Sequence, residues 1–530
     1  MQRQKKFYAW GYADEELTAE EIKPWEAGLA RYYGLSSFDP TPPPRADEIV
    51  LRASRVTPPA ALRTIVSTDH LARLEHSYGK AWFDACRMFM RSVPNPPDAV
   101  AFPESEADII RVLDWCDEIG AKAIPYGGGS SVVKGVESSR GLDKVVTISM
   151  RKMDKVREVD PTSHAARIEG GVYGPHIEAQ LRDTPFTMRH YMQAYRCSTL
   201  GGWIATRSGG HYATLTTHID DFVESLRVVT PAGVLETRRL PGSGAGPSPD
   251  RMFIGSEGIL GIITEAWVRL RKKPGFRAAT SVRFKTFHAG AEAVRTIAQA
   301  ALYPANCRLL EAREALPGVA WDDEEAVLVL AFESGDHPVD AWMARAKEIC
   351  RDCGGAPDEA AVDDEHAHRA GAAGAWREKF IRAPYYPEHA VARSILATTF
   401  ETSMTWERFP DFHARITKVA KDAIKETTGR EGTVTCRFTH VYPDGPCLYF
   451  TLGGVLDRRI MLDQFMAVMT TCMNAVVELG GTTTHHHAVG RLHRPFYDKQ
   501  RPDLFARALR GAKRELDPKG MMNPGVLIDP

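Results

Sequence analysis

Three consecutive histidines, His485-His486-His487, stand between Thr484 and Ala488-Val489-Gly490. Imidazole changes charge nearest neutral pH and is the commonest metal ligand. The triplet therefore points to proton transfer, anion binding or metal ligation, against the plainer reading of a polar surface tract. On a strand, His485 and His487 share one face and His486 takes the other. His493 is close in sequence, but no acidic residue or cysteine stands nearby to complete a ligand set, so no metal is expected.

A second cluster is built of glycine. In Pro125-Tyr126-Gly127-Gly128-Gly129-Ser130-Ser131, three residues without Cβ let backbone N–H groups approach an anion. The spacing is neither the dinucleotide GxGxxG nor the Walker loop, and alone it reads equally as a tight turn. It recurs in kind: Ser198-Thr199-Leu200-Gly201-Gly202-Trp203, Thr206-Arg207-Ser208-Gly209-Gly210, and Gly255-Ser256-Glu257-Gly258-Ile259-Leu260-Gly261, followed by Ile263. Four such loops within about 140 residues could line one long phosphate-containing ligand, whereas ordinary turns more often scatter Asn, Asp and Pro.

These loops need strands to hold them. Val100-Ala-Phe-Pro reads as a strand, and Ser105 with Asp108 as a capping box opening a helix to Gly120. Ala121–Tyr126 reads as a second strand, feeding the glycine run. Residues 143–270 alternate β-branched runs with glycine turns. Beyond about 275, Ser281–Phe284, Cys307–Glu311 and Ala326–Glu333 are strand-like, while 285–301, 338–353 and 408–427 are helical. Met461–Leu479 carries Met461, Met466, Met469 and Met473 as an apolar stripe, which reads as core packing more readily than as a groove for an acyl chain. The tail, 498–516, reads as one amphipathic helix. The first 94 residues, with Pro40-Thr-Pro-Pro-Pro44 and Pro94-Asn-Pro-Pro97, read as an irregular arm.

Composition sets the outer limits. A chain of 530 residues suggests roughly three to four units of ~150 residues. Its 67 basic against 68 acidic side chains argue against a nucleic-acid partner. Hydrophobic content of 43% and charged content of 25% are those of a globular enzyme. No run approaches the ~20 apolar residues of a membrane span, and the start lacks a signal-peptide core. Nine scattered cysteines fit reduced thiols in a cytoplasm; Cys350 and Cys353 form one CxxC with no second pair at zinc-ribbon spacing.

The glycine run, the Ser-Thr-Leu-Gly-Gly-Trp block and Gly-Ser-Glu-Gly-Ile-Leu-Gly together resemble the FAD-binding domain of vanillyl-alcohol-oxidase or PCMH-type flavoproteins. The resemblance implies an α+β, two-domain flavoprotein. A PCMH-type FAD-binding domain occupies 95–273, an α+β substrate or cap domain 274–480, and a segment at 481–530 returns to the first. The implied FAD contacts are Pro125, Tyr126, Gly127, Gly128, Gly129, Ser130, Ser131, Ser198, Thr199, Gly202, Thr206, Ser208, Gly209, Glu257, Gly258, Gly261 and Ile263. In covalent members a histidine follows the glycine run; Ser130 stands there, which implies non-covalent FAD and leaves attachment through a cap residue open.

Within that group, His-His-His-Ala-Val-Gly-Arg-Leu resembles the histidine motif of the alkyldihydroxyacetonephosphate synthase family. Phe400-Glu-Thr-Ser resembles a further segment of it, Cys436-Arg-Phe-Thr-His-Val-Tyr-Pro-Asp-Gly-Pro-Cys-Leu-Tyr449 the stretch bearing its essential tyrosine, and Cys307-Arg308-Leu-Leu a stretch whose arginine matters. The implied catalytic set is Tyr449, His485, His486, His487 and Arg308. From the strand alone Tyr449 reads as packing, and Arg308 as an ion pair. A phenol beside flavin and histidines could pass its proton to an imidazole, while Arg308 and the histidines stabilise negative charge on substrate.

The implied reaction exchanges an acyl for an alkoxy group through a flavin N5 adduct on a lipid-like ketone. The rivals are an FAD-dependent oxidase or dehydrogenase of an alcohol or 2-hydroxy acid, and a flavin-binding scaffold without activity. One departure bears on this choice: an arginine that binds substrate in the synthase family falls, by register from Phe400, on Pro387, with Arg382 and Arg393 flanking it. Arginine is not interchangeable at a phosphate. A small-molecule substrate, peripheral membrane contact without a spanning segment, a homodimer and a cytoplasmic location complete the expectations.

Overall fold

The computed structural model describes residues 4–138, 144–210, 214–315, 325–358 and 385–529. Arg382 falls outside them. Four sheets organise the described residues. The first has order β1-β2-β4-β3, from Val66–Ser67 (β1), Ala99–Ala101 (β2), Lys122–Tyr126 (β3) and Val145–Ser149 (β4), with β2 and β3 both parallel to β4. The helix Glu106–Glu118 makes the crossover between β2 and β3. Ser105 Oγ accepts the Asp108 N–H, but the Asp108 carboxylate reaches back to Glu104 rather than to Ser105, so the expected box is half made.

The second sheet, order β5-β6-β10-β8-β9, is antiparallel: Val156–Asp160 (β5), Ala165–Glu169 (β6), Val223–Thr230 (β8), Gly233–Glu236 (β9) and Ile262–Arg269 (β10). A two-stranded piece pairs Phe186–Thr187 (β7) with Arg271–Lys272 (β11). The third large sheet runs β15-β12-β14-β13-β17-β18-β16, with Phe276–Phe284 (β12), Asn306–Glu311 (β13), Ala326–Ser334 (β14), Ala356–Pro357 (β15), Ile395–Ser403 (β16), Thr433–Val441 (β17) and Pro446–Val455 (β18).

Alternation along β16, β17 and β18 explains how this last sheet serves two purposes. Phe400, Phe450 and Cys436 are paired across the three strands and face a core shared with the helices Phe287–Gln299, Phe409–Thr428 and Met461–Glu478. One residue along, Glu401, Tyr449 and Arg437 are likewise paired and must face the other way. That second face looks onto the glycine-loop side.

Three sequence expectations change. The supposed irregular arm contains helices: Ala19–Tyr33 starts from a complete Thr18–Glu21 capping box, and Trp82–Phe89 is almost wholly buried. Trp82 donates from Nε1 to the Ile395 carbonyl (2.9 Å) and stacks on Phe465. The tail is two helices, Arg494–Gln500 and Asp503–Leu516, because Pro502 interrupts the ladder. The chain then returns to the first sheet, where Met522 bridges Ala123 and the buried Lys513 ammonium donates to Asp517, Ile259 and Met522. The histidine segment is not a strand but a series of bends. All nine cysteines are free thiols, and no described helix is long and apolar enough to cross a membrane.

Candidate active site

The glycine run leaves β3 and packs directly against the 197–202 loop. A Cβ on Gly127 would lie 2.3 Å from Thr199 Oγ1, and one on Gly128 only 1.8 Å from the Cys197 carbonyl oxygen. Only glycine permits that approach. Among the described residues, the N–H groups of Gly127, Gly128 and Gly129 have no acceptor. The buried Thr199 hydroxyl beside them has no hydrogen-bond partner either. Gly129 is buried and Gly127 and Gly128 partly so; donors withdrawn from water are rarely left in this state, and here they line one cavity of about 540 Å³. Such a cradle fits the pyrophosphate of a dinucleotide.

Every residue expected to contact FAD lines this cavity, though their side chains do different work. Ser198 Oγ donates to the Ala194 carbonyl and accepts the Trp203 indole N–H, and Thr206 Oγ1 donates to the Gly202 carbonyl. Ser208 Oγ lies 3.0 Å from His190 Nε2. These hydroxyls hold the loops, leaving backbone to meet a ligand. Glu257, at φ 50°, accepts the N–H groups of Val489 and Gly490 at 2.9 and 2.8 Å, tying the last glycine loop to the histidine segment. Burial pushes its carboxyl up to about 7 despite those bonds.

The histidine segment is shaped by one buried acid. Glu401, from β16, accepts the N–H groups of His485 (2.5 Å), His486 (3.1 Å) and His487 (2.9 Å) and the Thr484 hydroxyl (2.5 Å). Burial alone would raise its carboxyl, but the His487 and His485 rings when protonated at low pH, Thr484 and the backbone donors pull it down to about 2. The bends keep neighbouring rings in contact, His485 Nδ1 lying 3.1 Å from His486 Nδ1, but give them different surroundings. His486 and His487 line the cavity; His485 lies behind it, 2.7 Å from the Tyr442 hydroxyl and 3.2 Å from His218 Nε2. The expected shared face of His485 and His487 is therefore absent, because a turn wrapped around Glu401 replaces the strand.

Tyr449 lies on the cap sheet, buried, its hydroxyl 3.0 Å from Thr399 Oγ1. Its ring stacks on His486 (centroids 5.8 Å) and meets His487 edge-on (5.4 Å). The Arg437 guanidinium covers the other side, 3.9 Å from the ring centroid, and is ion-paired with Glu314. Burial raises the phenol and Arg437 opposes that rise. Arg308, on β13, is buried in the same cavity wall, held down to about 9 by burial and by the charge of Arg437. The sequence-predicted Tyr449, Arg308, His486 and His487 thus share one cavity with the glycine loops.

Burial pushes the His485 and His486 rings well below their ordinary range, with neighbouring imidazoles adding to the effect, and lowers His487 against the pull of Glu401. His440 falls to about 3 for the same first reason. The rings are neutral, and a proton passed from the raised Tyr449 phenol to them runs uphill until negative charge arrives beside them. A β-bulge between Phe438 and His440 lets both Thr439 and His440 reach the cavity. His440 and Cys447, paired on β17 and β18, bring their ligand atoms within 4.8 Å of those of His485 and His486. The His440 Nε2–H is meanwhile given to the Gly210 carbonyl at 2.7 Å.

The residues missed from sequence are Glu401, Arg437 and His440. Glu401 had a signal, since it is the lone acid inside the apolar strand Ile395–Ser403. Arg437 and His440 lie within the tyrosine-bearing stretch, but their Glu314 and Gly210 partners are 123 and 230 positions away.

Residues 97–238 match the family model described as FAD binding domain, and residues 273–527 that described as FAD linked oxidases, C-terminal domain. Alkyldihydroxyacetonephosphate synthase of Trypanosoma brucei brucei is 30% identical over 527 residues, spanning 93% of this chain and 85% of the relative. A solved alkyldihydroxyacetonephosphate synthase superposes with a TM-score of 0.82 over 98% of this chain and 99% of its own, at 23% identity. A solved p-cresol methylhydroxylase shares the fold with a TM-score of 0.69 over 88% of this chain and 94% of its own, at 16% identity.

Proposed function

Because the chain belongs to the alkyldihydroxyacetonephosphate synthase family of FAD-dependent enzymes, we propose that it exchanges the acyl group of a lipid-like ketone for an alkoxy group. FAD, held non-covalently on the glycine loops of residues 95–273, supplies an electron-accepting isoalloxazine ring. The sheet of residues 274–480 supplies the acid–base groups, and residues 481–530 fasten the two together through Glu257 and the histidine segment.

Tyr449 Oη is positioned to take and return the substrate proton. Arg437 lowers the cost of its ionisation, and Thr399 orients it. Arg308 is a buried cation whose depressed basicity is relieved when negative charge develops on the ketone. His486 and His487 offer neutral N–H groups to the same charge. As that charge forms, their basicity rises and they become able to relay the Tyr449 proton. Glu401 holds these rings in place and does not itself titrate near neutrality. The observation that carries the reading is the row Glu401–Tyr449–Arg437 across β16, β18 and β17, with His486 and His487 packed on the phenol.

The test is anaerobic incubation with an acyl-dihydroxyacetone phosphate and a labelled long-chain alcohol. The expected result is labelled ether product, one equivalent of free fatty acid and flavin that ends oxidised. Lasting bleaching that oxygen reverses would instead assign an oxidase or dehydrogenase, an outcome given weight by Pro387, which lines the cavity where the family has a substrate arginine.

A further inference from the structure

Lys80 is a cation that the proposed chemistry does not use. It lines the cavity together with Gly127–Ser131. Its backbone is fixed against the glycine loop: the Lys80 N–H donates to the Ser131 carbonyl at 2.7 Å, and a Cβ on Gly79 would lie 2.0 Å from that same oxygen. The ammonium donates to the carbonyls of Lys6 and Phe7, both at 2.9 Å. An ammonium carries three donors, so one remains. The neighbouring acids are engaged elsewhere, Asp84 with Arg87 and Glu388 with Lys6. Among the described residues no carboxylate lies within ion-pair distance of Lys80. Burial, and then the charge of Lys5, hold it down to about 8, as befits a cation short of an anion.

The arm before Lys80 reinforces the same place. Lys5 Nζ bonds the Tyr173 hydroxyl (2.8 Å) and the Gly128 carbonyl (3.4 Å), gripping the glycine loop from behind. Two cations therefore flank a loop whose three glycine N–H groups have no acceptor among the described residues.

We propose that Lys80 is a phosphate ligand of this cavity, its third N–H donating to the pyrophosphate of FAD beside the Gly127–Gly129 amides, with the N-terminal arm holding the ammonium in position. The inference rests on FAD as the cofactor. A charge-assisted contact of this kind is among the stronger hydrogen bonds, and it is screened by salt.

The experiment titrates apo-protein with FAD, followed by quenching of flavin fluorescence, for wild type, K80M and K80R across a series of NaCl concentrations. Methionine keeps the apolar stem, and arginine keeps the charge. The expected result is an FAD Kd at least about ten-fold weaker in K80M, with a shallower salt dependence, largely restored in K80R. Riboflavin, which lacks phosphate, should bind wild type and K80M alike. Equal losses for FAD and riboflavin would make Lys80 only an anchor for the arm and overturn the proposal. So would an unchanged FAD Kd in K80M together with a lost stabilisation of the holoenzyme by inorganic phosphate, which would assign the ammonium to a substrate phosphate. Failure of wild type itself to bind FAD would strike the cofactor assignment instead.

Discussion

Arg437 and Tyr449 are directly opposite one another on β17 and β18, the guanidinium carbon 3.9 Å from the centroid of the phenol ring. At that distance the cation is worth about 2 kcal/mol to a desolvated ring, and more once the phenol ionises. Burial raises the phenol and Arg437 counteracts it. Removing the arginine should therefore raise the Tyr449 pKa and move the limb of kcat/KM that reports its ionisation to higher pH. Since the change would also take from the buried Glu314 its ion pair with Arg437, the variant to measure is R437M/E314Q. A pH profile that keeps its wild-type position would remove Arg437 from the chemistry.

Tyr449→Phe deletes the hydroxyl while keeping the ring on His486 and His487. Turnover should fall by about 10²–10⁴, with FAD affinity and thermal midpoint close to wild type. Steady-state assay beside flavin titration separates the two readouts; unchanged turnover would eliminate Tyr449 as the proton carrier.

Glu401→Gln should loosen the histidine turn, because a neutral amide oxygen replaces a carboxylate that accepts three backbone N–H groups. The cost expected above pH 5 is roughly 3 kcal/mol. Its pH dependence has a definite sign. The folded carboxyl lies at about 2, below its ordinary 4.5, so the stabilisation is present above 4.5 and is lost as pH falls toward 2. Urea unfolding of both proteins at several pH values should show their difference shrinking over that window. A constant difference would mean that the charge of Glu401 is not what holds the turn.

Much of the site is legible in the chain because the loops advertise themselves: runs of glycine and small hydroxyl residues after strands have few uses other than close approach of backbone to backbone or ligand. The tyrosine, the arginine on β13 and the histidines are also visible as types. What cannot be read is who faces whom. The strand order places β17 between β13 and β18, and only that order sets Arg437, already opposite Tyr449 in the β17–β18 hairpin, beside Arg308. The histidine segment misleads for a related reason. Three residues in a row suggest a strand with alternating faces, but a buried carboxylate from β16 gathers their N–H groups and bends them. Likewise the proline-rich arm hides helices: Trp82–Phe89 is held by burial, with Trp82 between Ile395 and Phe465, whereas Ala19–Tyr33 rests on its capping box.

Gly128→Ala tests the cradle. The new methyl would meet the Cys197 carbonyl at 1.8 Å, a backbone atom that cannot rotate away, so the loop must shift and its amides lose their aim. FAD affinity should fall about a hundred-fold or more, by analogy with losing two charge-assisted bonds. Gly511→Ala, where a Cβ meets nothing within 4 Å, serves as the neutral control. Equal FAD binding in the two variants would show that the glycine run is only a turn.

The flavin should be dissociable, and this can be measured in two independent ways. Ser130, the residue after the glycine run, carries a hydroxyl, a poor partner for a stable bond to the ring carbon of a flavin. The histidines that line the far wall are oriented by other contacts: His487 through its backbone by Glu401, and His440 through its ring by the Gly210 carbonyl. Acid precipitation should leave a yellow supernatant and a colourless pellet. The second measurement follows from mass action: a ligand that binds only the folded state stabilises it by about 2.7 kcal/mol at a hundred times its Kd, so the thermal midpoint of holoenzyme should climb with added FAD. A covalent flavin would give a yellow pellet and a midpoint indifferent to free FAD, and peptide mapping of that pellet would then locate the cap residue that carries it.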